Sequence, residues 1–411
     1  MQLRERLRYV SGSQVAAPPR QEKPLPPGVI SGENEYGRIY FRDEFFPLDH
    51  LHGRIRLDGA FAVDDVLLGR LGAGLTHEHV AEAAYLDIET TGLSGGTGTF
   101  AFLVGVGTFD NLAFRVRQYF LTDPGEEPAM LAALADTLAR CRSIVTFNGR
   151  SFDVPQLTTR YAMVRQAAPF DLPHIDLLHP ARRLYARMLT SCRLAEVEKH
   201  LLGLRRYGDV SGAVIPALYF SYIRRRNLRG LPPLFEHNSL DVLSLVAFLA
   251  HLMTDAGEHV ESDAAHHFAL GKWDETASRP AEAIEQYRRV LAIDTRTEVG
   301  GEAAVRLGRL LRRRDGWRVS LDHWLQEADG TSSAIRRVRA HLELAKLYEH
   351  RAGDVCTALH HAELARDLIS SASLHGFFSL TGPSLEQRIL RLHGKVTKRR
   401  HLSAAASQVE A

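Results

Sequence analysis

The sequence has few cysteines and no long apolar run, and each absence excludes a class of protein. Cys141, Cys192 and Cys356 are far apart and odd in number, which excludes a disulfide framework and a Cys-x-x-Cys zinc knuckle. The longest apolar runs, such as residues 99–109, fall well short of about 18 residues, and no apolar core follows the charged start MQLRERLRYV. We therefore expect a cytoplasmic protein without a membrane span or an export signal.

An excess of charge of one sign is also lacking. Lysine and arginine total 51 and aspartate and glutamate total 49, so the formal net charge is +2. This excludes a globally basic nucleic-acid coat, although not a local basic face. Hydrophobic residues make up 45% of the 411 residues and charged residues 24%, which is typical of a globular chain of two or three domains.

Proline-rich and mixed segments occupy the first part of the chain. Five prolines fall within residues 11–30, a composition typical of an extended linker, and we expect residues 1–32 to be disordered. Short segments with possible strands follow over residues 33–82. We interpret them as an N-terminal lead-in and assign no chemistry to them.

Strand and helix patterns then alternate. Residues 83–121 predict three strands with short connections, which form an antiparallel meander. The patterns that follow predict a helix at 126–141, a strand at 143–148, and helices at 152–164, 178–203 and 239–253. Three strands followed by alternating helices and strands predict an α/β fold with a mixed sheet flanked by helices.

Beyond residue 262 the strand patterns end. Residues 264–294 predict two helices with a turn near Pro280, and two weaker copies follow at 302–328 and 341–368. We therefore predict an all-α, tetratricopeptide-like repeat domain over 262–370, with an ordinary helical bundle as the alternative. A C-terminal helix and a disordered tail are expected over residues 371–411, with the tail starting at about residue 395. The first pair matches the packing positions of that repeat at Leu270, Gly271, Glu282, Ala283, Ile284, Tyr287 and Leu291.

Two acids share one face of the first strand of the meander. Side chains alternate along a strand, so Asp87 and Glu89 in YLDIETTGL project to the same side. Carboxylates placed side by side on a buried strand raise each other's pKa, unless a cation or a shared proton relieves the repulsion. Mg²⁺ or Mn²⁺, which prefer oxygen ligands, are the natural partners. The alternative is an edge strand with both acids solvated.

A third acid, Asp153, stands in NGRSFD at the junction of a strand and a helix. It would cap the helix, with Pro155 in the first turn, or reach a metal at the edge of the sheet. Asn148 and Gly149 would bring the backbone close to a phosphate or a sugar.

A fourth acid follows in HNSLD. Asp241 lies four residues after His237, so both share one face of a helix that we expect to open at this motif. In the alternative interpretation, Asn238 or Ser239 caps the helix and Asp241 favours its first turn electrostatically.

The order and context of these motifs resemble the DEDD superfamily of 3′ to 5′ exonucleases, which have a ribonuclease H-like fold. DIETTGL, NGRSFD and HNSLD are similar to the three exonuclease motifs of that superfamily, over roughly 83–253. The wider pattern looks most like the bacterial YprB-type exonuclease family, whose members can carry a tetratricopeptide-like C-terminus. The segments that carry this likeness are HIDLLHPARRLY, CRLAEVEKHLLGLRR and DVSGAVIPALYFSYI.

The resemblance implies a ribonuclease H-like exonuclease domain over 83–255. It implies that two divalent ions, Mg²⁺ or Mn²⁺, bind to Asp87, Glu89, Asp153 and Asp241, and that the enzyme hydrolyses phosphodiester bonds of single-stranded nucleic acid. The superfamily places a tyrosine four residues before the last aspartate or a histidine five residues before it. Here His237 stands at the tyrosine spacing, and we assign it as the base.

A basic region follows the acidic one. Residues 81–180 carry seven arginines and eleven acids, whereas residues 181–230 carry eleven basic residues and three acids. Arginines in the second region would hold phosphates by charge-assisted contacts, with a solvated helical face as the alternative. The predicted substrate-binding residues are Thr90, Leu93, Asn148, Phe152, Arg224 and Arg225.

Two other functions stay open from the sequence. One is a weakly active or inactive nucleic-acid-binding module whose repeats recruit a protein partner, and the other is a scaffold in which only the repeats function. RNA and DNA are equally open as substrates, because no residue visibly contacts a 2′-hydroxyl.

Overall fold

The chain divides into two compact units. The computed structural model describes residues 24–62, 64–92, 97–110, 112–258, 264–293, 297–329, 333–372 and 382–409. No helix in this part of the chain is long and apolar enough to cross a bilayer. The first unit includes residues 24–61, His77–Leu177 and Leu201–His251, and the second includes Ala62–Thr76, Leu178–His200 and the described residues from Leu252 onward.

The strands of the described residues belong to the first unit. Seven of them form one mixed sheet in the order β1-β2-β7-β6-β5-β8-β9, in which β5, β8 and β9 are parallel and the other neighbours antiparallel. β3 and β4 form a separate hairpin. The strands are β1 (Ile30–Asn34), β2 (Gly37–Pro47), β3 (Leu51–His52), β4 (Ile55–Arg56), β5 (Ala83–Thr90), β6 (Ala101–Phe109), β7 (Ala113–Phe120), β8 (Ser143–Thr146) and β9 (His174–Asp176).

Helices flank the sheet and make up the second unit. In chain order they are α1 (Asp65–Leu71), α2 (His77–Ala81), α3 (Glu127–Leu138), α4 (Asp153–Met163), α5 (Leu178–Tyr185), α6 (Leu194–Val197), α7 (Ile215–Arg225), α8 (Leu231–Glu258), α9 (Ala264–Thr276), α10 (Pro280–Ile293), α11 (Glu298–Arg314), α12 (Trp317–Asp329), α13 (Ala334–Leu347), α14 (Val355–Ser371) and α15 (Gly382–Val409). Short 3₁₀ helices occur at Leu57–Phe61 and Pro124–Glu126, and π-helical turns at Glu198–Leu202 and Tyr348–Ala352. The α/β class with a mixed sheet, followed by an all-helical region, is confirmed.

The predicted meander is confirmed as β5, β6 and β7, and α8 lies close against it. Gly105 of β6 stands opposite Asp87 in the register, and a Cβ there would collide with the side chain of Asn238 on α8. Phe235 of the same helix contacts Phe120 at the end of β7, with ring centroids 5.1 Å apart. A glycine in β6 therefore allows the helix to bring polar side chains directly onto the central strand.

The predicted start of this helix was wrong. α8 begins at Leu231, so HNSLD lies inside it and neither Asn238 nor Ser239 is a cap. Two consecutive prolines stand at the second and third helical positions, Pro232 and Pro233, where amide groups have no intrahelical partner. The helix starts at these prolines, and polar residues inside it face the sheet.

The expectation of a disordered segment up to residue 32 was wrong at its end. β1 spans Ile30–Asn34, Val29 is buried, and the carbonyl of Pro24 accepts a hydrogen bond from the Tyr222 hydroxyl. β2 pairs with β7, so residues 37–47 extend the central sheet and are more than a lead-in. These pairings join strands far apart in sequence, which local composition does not indicate. Residues 1–23 lie outside the described part.

The helices of the second unit follow the predicted pairs. α9 and α10 form the first pair, and a Cβ at Gly271 would lie 2.6 Å from the ring of Tyr287, so the glycine lets the two helices approach closely. Three apolar clusters link consecutive helices from α9 to α15. The likeness to tetratricopeptide repeats stays a prediction. The expected disorder from about residue 395 was wrong, because α15 continues to Val409.

Candidate metal-binding active site

The four predicted acids come together at the end of the central strand. Asp87 and Glu89 lie on β5, while Leu86 and Ile88, which alternate with them, are buried on the opposite face, as the alternation predicts. Asp153 is the first residue of α4 and is buried, and Asp241 lies on α8. The four acids are close enough for their charges to shift one another's pKa, so they form one cluster.

Crowding in this cluster raises carboxyl pKa values. Burial, followed by the charges of Asp241, Glu89 and Asp153, raises the pKa of Asp87 well above its ordinary value. Burial and the charges of Asp241 and Asp153 raise the pKa of Glu89 to about 8. Burial also raises the pKa of Asp153 to about 7, against backbone hydrogen bonds that lower it. Such a set of oxygen donors is electrostatically suited to a divalent cation.

His237 faces the same cluster. Its Nε2 lies 3.7 Å from Glu89 Oε1 and 3.5 Å from Asp241 Oδ2, and these three residues offer ligand atoms within 4.8 Å of one another. Its Nδ1 is hydrogen-bonded to Asp209, 2.8 Å from Oδ1. The imidazole is therefore held from one side and presents its second nitrogen to the acids.

Asp209 and Arg206 were missed by the sequence analysis. Arg206 donates hydrogen bonds to Asp209 and to Asp241, so it links the residue that holds His237 to one of the acids. The pKa of Asp209 is lowered: burial opposes the shift, but the hydrogen bond and charge of His237 and the charge of Arg206 outweigh it. The only sequence signal was an acid within the basic region, in RRYGD.

A buried amide relay holds Asp87. Asn238 Nδ2 donates to Asp87 Oδ2 at 2.8 Å, and Gln118 Nε2 donates to Asn238 Oδ1 at 2.9 Å and to the carbonyl of Phe235 at 2.7 Å. Both amide side chains are fully buried. Sequence reasoning missed the role of Asn238, which it treated as a possible cap, and missed Gln118 entirely. The relay fixes the orientation of the Asp87 carboxylate.

The NGRSFD loop is anchored by another buried acid. Asp176 of β9 accepts the backbone N–H of Asn148 at 2.8 Å and of Arg150 at 3.1 Å. Asn148 has a positive φ of 68°, a conformation that asparagine tolerates better than most residues. The N-cap of α4 is Phe152, so Asp153 does not cap the helix and its side chain turns to the acid cluster.

The other predicted substrate contacts are less closely tied to the acids. Thr90 is buried and its hydroxyl donates to the carbonyl of Gly92, while Phe152 is half-buried. Arg224 and Arg225 are exposed at the end of α7, and neither forms a hydrogen bond or ion pair with an acid of the described residues. Leu93 lies outside the described residues.

The fold of the first unit is that of a ribonuclease H-like domain. A family profile described as RNase_H superfamily matches residues 84–253, which contain all four acids and His237. Domains of this superfamily bind nucleic acid and are generally nucleases that use divalent metal ions.

The wider comparison is with a protein of Bacillus subtilis (strain 168) named uncharacterized protein YprB. It is 32% identical to this chain over 342 residues, which cover 80% of this chain and 80% of that protein. The chain belongs to the YprB family, within the ribonuclease H superfamily. The likeness found in the motifs is thereby confirmed at the level of the family.

The raised carboxyl pKa values predict a pH-dependent stability of the metal-free protein. A carboxyl whose pKa is raised by folding stabilises the folded state below its unfolded pKa, and this contribution is lost as pH rises through the folded pKa. With Glu89 at about 8 and Asp153 at about 7, the melting temperature in a chelator should fall between about pH 5 and about pH 9. Scanning calorimetry across this range measures the effect.

Bound metal should counteract this fall in melting temperature. Saturating Mn²⁺ should raise the melting temperature most at the high end of the range, because metal binds the deprotonated acids. Glu89→Gln should flatten the pH dependence without metal. An unchanged melting temperature across this pH range in the metal-free wild type would contradict the raised carboxyl pKa values of the cluster.

Proposed function

We propose that this protein is a metal-dependent 3′ to 5′ exonuclease that hydrolyses phosphodiester bonds of single-stranded nucleic acid by a two-metal mechanism. The observation that carries the proposal is the convergence of four carboxylates and one imidazole nitrogen at the end of β5, with carboxyl pKa values raised by burial and mutual repulsion. Family membership supports nucleic acid as the substrate class.

The donor set fits two divalent ions. Asp87, Glu89, Asp153 and Asp241 offer carboxylate oxygens, the ligands that Mg²⁺ and Mn²⁺ prefer, and these four residues would hold the ions. Bound ions at such a site stabilise charge that develops on the phosphate and make water a stronger acid. The Gln118–Asn238 relay keeps the Asp87 carboxylate in a fixed orientation, as hydrogen bonds behind a metal ligand commonly do.

His237 would act as the base. Its Nε2 accepts a proton from the attacking water, whose oxygen bonds to phosphorus while the bond from phosphorus to the 3′ oxygen breaks. Asp209 accepts the Nδ1–H of the same ring, which fixes the tautomer that leaves Nε2 free to accept the proton. The product is a nucleoside 5′-monophosphate, and the 3′ oxygen of the shortened strand takes up a proton.

One observation favours a second candidate, a nucleic-acid-binding module with little turnover. Arg206 already pairs with Asp241, so a cation of the protein itself partly neutralises one acid of the cluster. Metal binding would then have to compete with a guanidinium. In this alternative the helical region recruits a protein partner.

Digestion of labelled strands tests the proposal. Single-stranded DNA and RNA labelled at the 5′ end should give a metal-dependent ladder of shortened products, whereas a 3′ label should be released at once as a mononucleotide. A circular single strand is the matched control, because it has the same phosphodiester bonds and no end. Cleavage of the circle would contradict an exonuclease, and binding without digestion under either metal would favour the second candidate.

A further inference from the structure

A basic cavity lies in the second unit, away from the acids in sequence. It has a volume of about 320 Å³ and lies between α9 and α5 with the turn that follows α5. No aspartate or glutamate lines it within the described part of the chain. The cationic residues that line it are Arg182, Arg183, Arg187 and Lys272, and all four are exposed.

Aromatic rings, and not acids, contact three of these four cations. The Arg183 guanidinium lies 5.3 Å from the centroid of the Trp273 ring, and that of Arg187 lies 5.4 Å from the Phe268 ring. The Lys272 ammonium lies 5.8 Å from the same Phe268 ring. Cation–π contacts position a cation without neutralising it. None of the four cations forms an ion pair with an acid of the described residues, so their charge is available to a ligand.

The acids nearest in sequence have other partners. Asp274 is fully buried and accepts two hydrogen bonds from Arg70, both at 2.8 Å. Glu275 accepts hydrogen bonds from the Tyr287 hydroxyl at 2.7 Å and from Arg306 at 2.6 Å. The negative charge of α9 is therefore neutralised on its other faces, and the face towards the cavity keeps a net positive charge.

The tryptophan of the lining carries an unpaired hydrogen-bond donor. Trp273 is 2% exposed, and its buried indole N–H has no hydrogen-bond acceptor among the described residues. A buried donor without an acceptor is uncommon in a folded protein. An anionic ligand with several oxygen acceptors would suit both this donor and the guanidinium groups, which bind phosphate with two parallel hydrogen bonds.

We propose that this cavity binds the phosphodiester backbone of single-stranded nucleic acid, as a site distinct from the acid cluster of the first unit. The choice of a nucleic-acid backbone among phosphate ligands rests on the proposed exonuclease function, which brings such a strand to the same chain. The cavity is large enough for one nucleotide, and exposed cations at its rim suit a chain that continues beyond it.

Binding measured without catalysis tests this site. The full-length protein is titrated, in a chelator, against a fluorescein-labelled oligothymidylate, and anisotropy is followed over a range of salt concentrations. Arg183→Ala with Arg187→Ala should weaken binding and reduce the slope of log K against log salt by about 1.4, since each lost phosphate contact on a single strand removes about 0.7. Arg312→Ala with Arg313→Ala removes the same charge from exposed positions on α11 and should change little.

Two further variants separate a binding role from a structural one. Arg183→Lys with Arg187→Lys keeps the charge and should restore the salt slope, but it should recover the affinity only in part, because an ammonium cannot make two parallel hydrogen bonds to phosphate. Lys272→Glu changes an exposed side chain and should weaken binding while the melting temperature stays unchanged. Equal affinity and equal slope in all these variants and the wild type would overturn the proposal.

Competitors identify the ligand. Unlabelled oligothymidylate should displace the probe at far lower concentration than thymidine monophosphate or inorganic phosphate. Equal displacement by the small phosphates, or stronger displacement by poly-glutamate, would overturn the assignment to a nucleic-acid backbone. Digestion assays report on the acid cluster separately. If the arginine variants lose binding and the wild type digests no strand, the cavity is retained as a binding site and the exonuclease is rejected. If the arginine variants bind normally and the wild type digests strands, the exonuclease is retained and the cavity is rejected.

Discussion

Asp87→Asn is expected to reduce the rate of metal-dependent digestion by more than about 100-fold. Loss of a residue that only hydrogen-bonds to a metal ligand typically costs about 10- to 100-fold, and loss of a ligand itself should cost more. The amide oxygen at position 87 can still accept the hydrogen bond of Asn238, so the substitution removes charge and keeps shape. A neutral oxygen donor holds a divalent cation far less strongly than a carboxylate. The rate of ladder formation from 5′-labelled single strands, at saturating Mn²⁺, measures the loss.

The same variant should be more stable than the wild type when metal is absent. Burial and three neighbouring acids raise the pKa of Asp87, so a neutral group at this position relieves repulsion at neutral pH. Asp136→Asn, an exposed acid on α3, is the control and should leave both digestion and melting temperature unchanged. Digestion by Asp87→Asn at the wild-type rate would remove Asp87 from the metal site.

Local patterns predicted two pairs of side chains in the cluster, and the resemblance to the exonuclease motifs implied that these pairs and Asp153 lie together. Alternation along β5 places Asp87 and Glu89 on one face of the strand, and helical spacing places His237 and Asp241 on one face of their helix. Neither placement depends on the tertiary structure. Their partners were not predictable in this way. Gln118 contacts Asn238 across 120 positions of the chain and Asn238 contacts Asp87 across 151, so only the fold brings them together.

The boundaries that were wrong have a related cause. Proline content at residues 24–32 predicts an extended chain, and the chain there is extended. It is nevertheless part of the sheet, because β1 pairs with β2 and β2 pairs with β7, about 75 positions away. The start of α8 was placed too late because polar HNSLD looks like a capping sequence. In the fold its polar residues turn inward, to Asp87 and to the acid cluster, and a local pattern cannot distinguish an inward polar face from a helix end.

His237→Ala is expected to lower kcat by about 100- to 10,000-fold, the usual contribution of a general base, with little change in KM. The Nε2 atom faces Glu89 and Asp241 at 3.7 and 3.5 Å, so its loss removes a proton acceptor beside the metal ligands without removing a carboxylate. Added imidazole should restore part of the activity of this variant, an effect that a purely structural role would not give. His77→Ala, at an exposed histidine of the same unit, is the control.

Asp209→Asn distinguishes orientation of the ring from its presence. The imidazole stays in place, but its Nδ1 loses a charged acceptor that now fixes the tautomer, and kcat should fall by about 10- to 100-fold, less than for His237→Ala. The double variant should be only slightly slower than His237→Ala alone, because Asp209 acts through the ring and, by its contact with Arg206, on Asp241. Fully additive losses in the double variant would mean that Asp209 acts independently of the ring, through Arg206 or by its own contact with the substrate or a metal ion. A normal kcat in His237→Ala would contradict the assignment of His237 as the base.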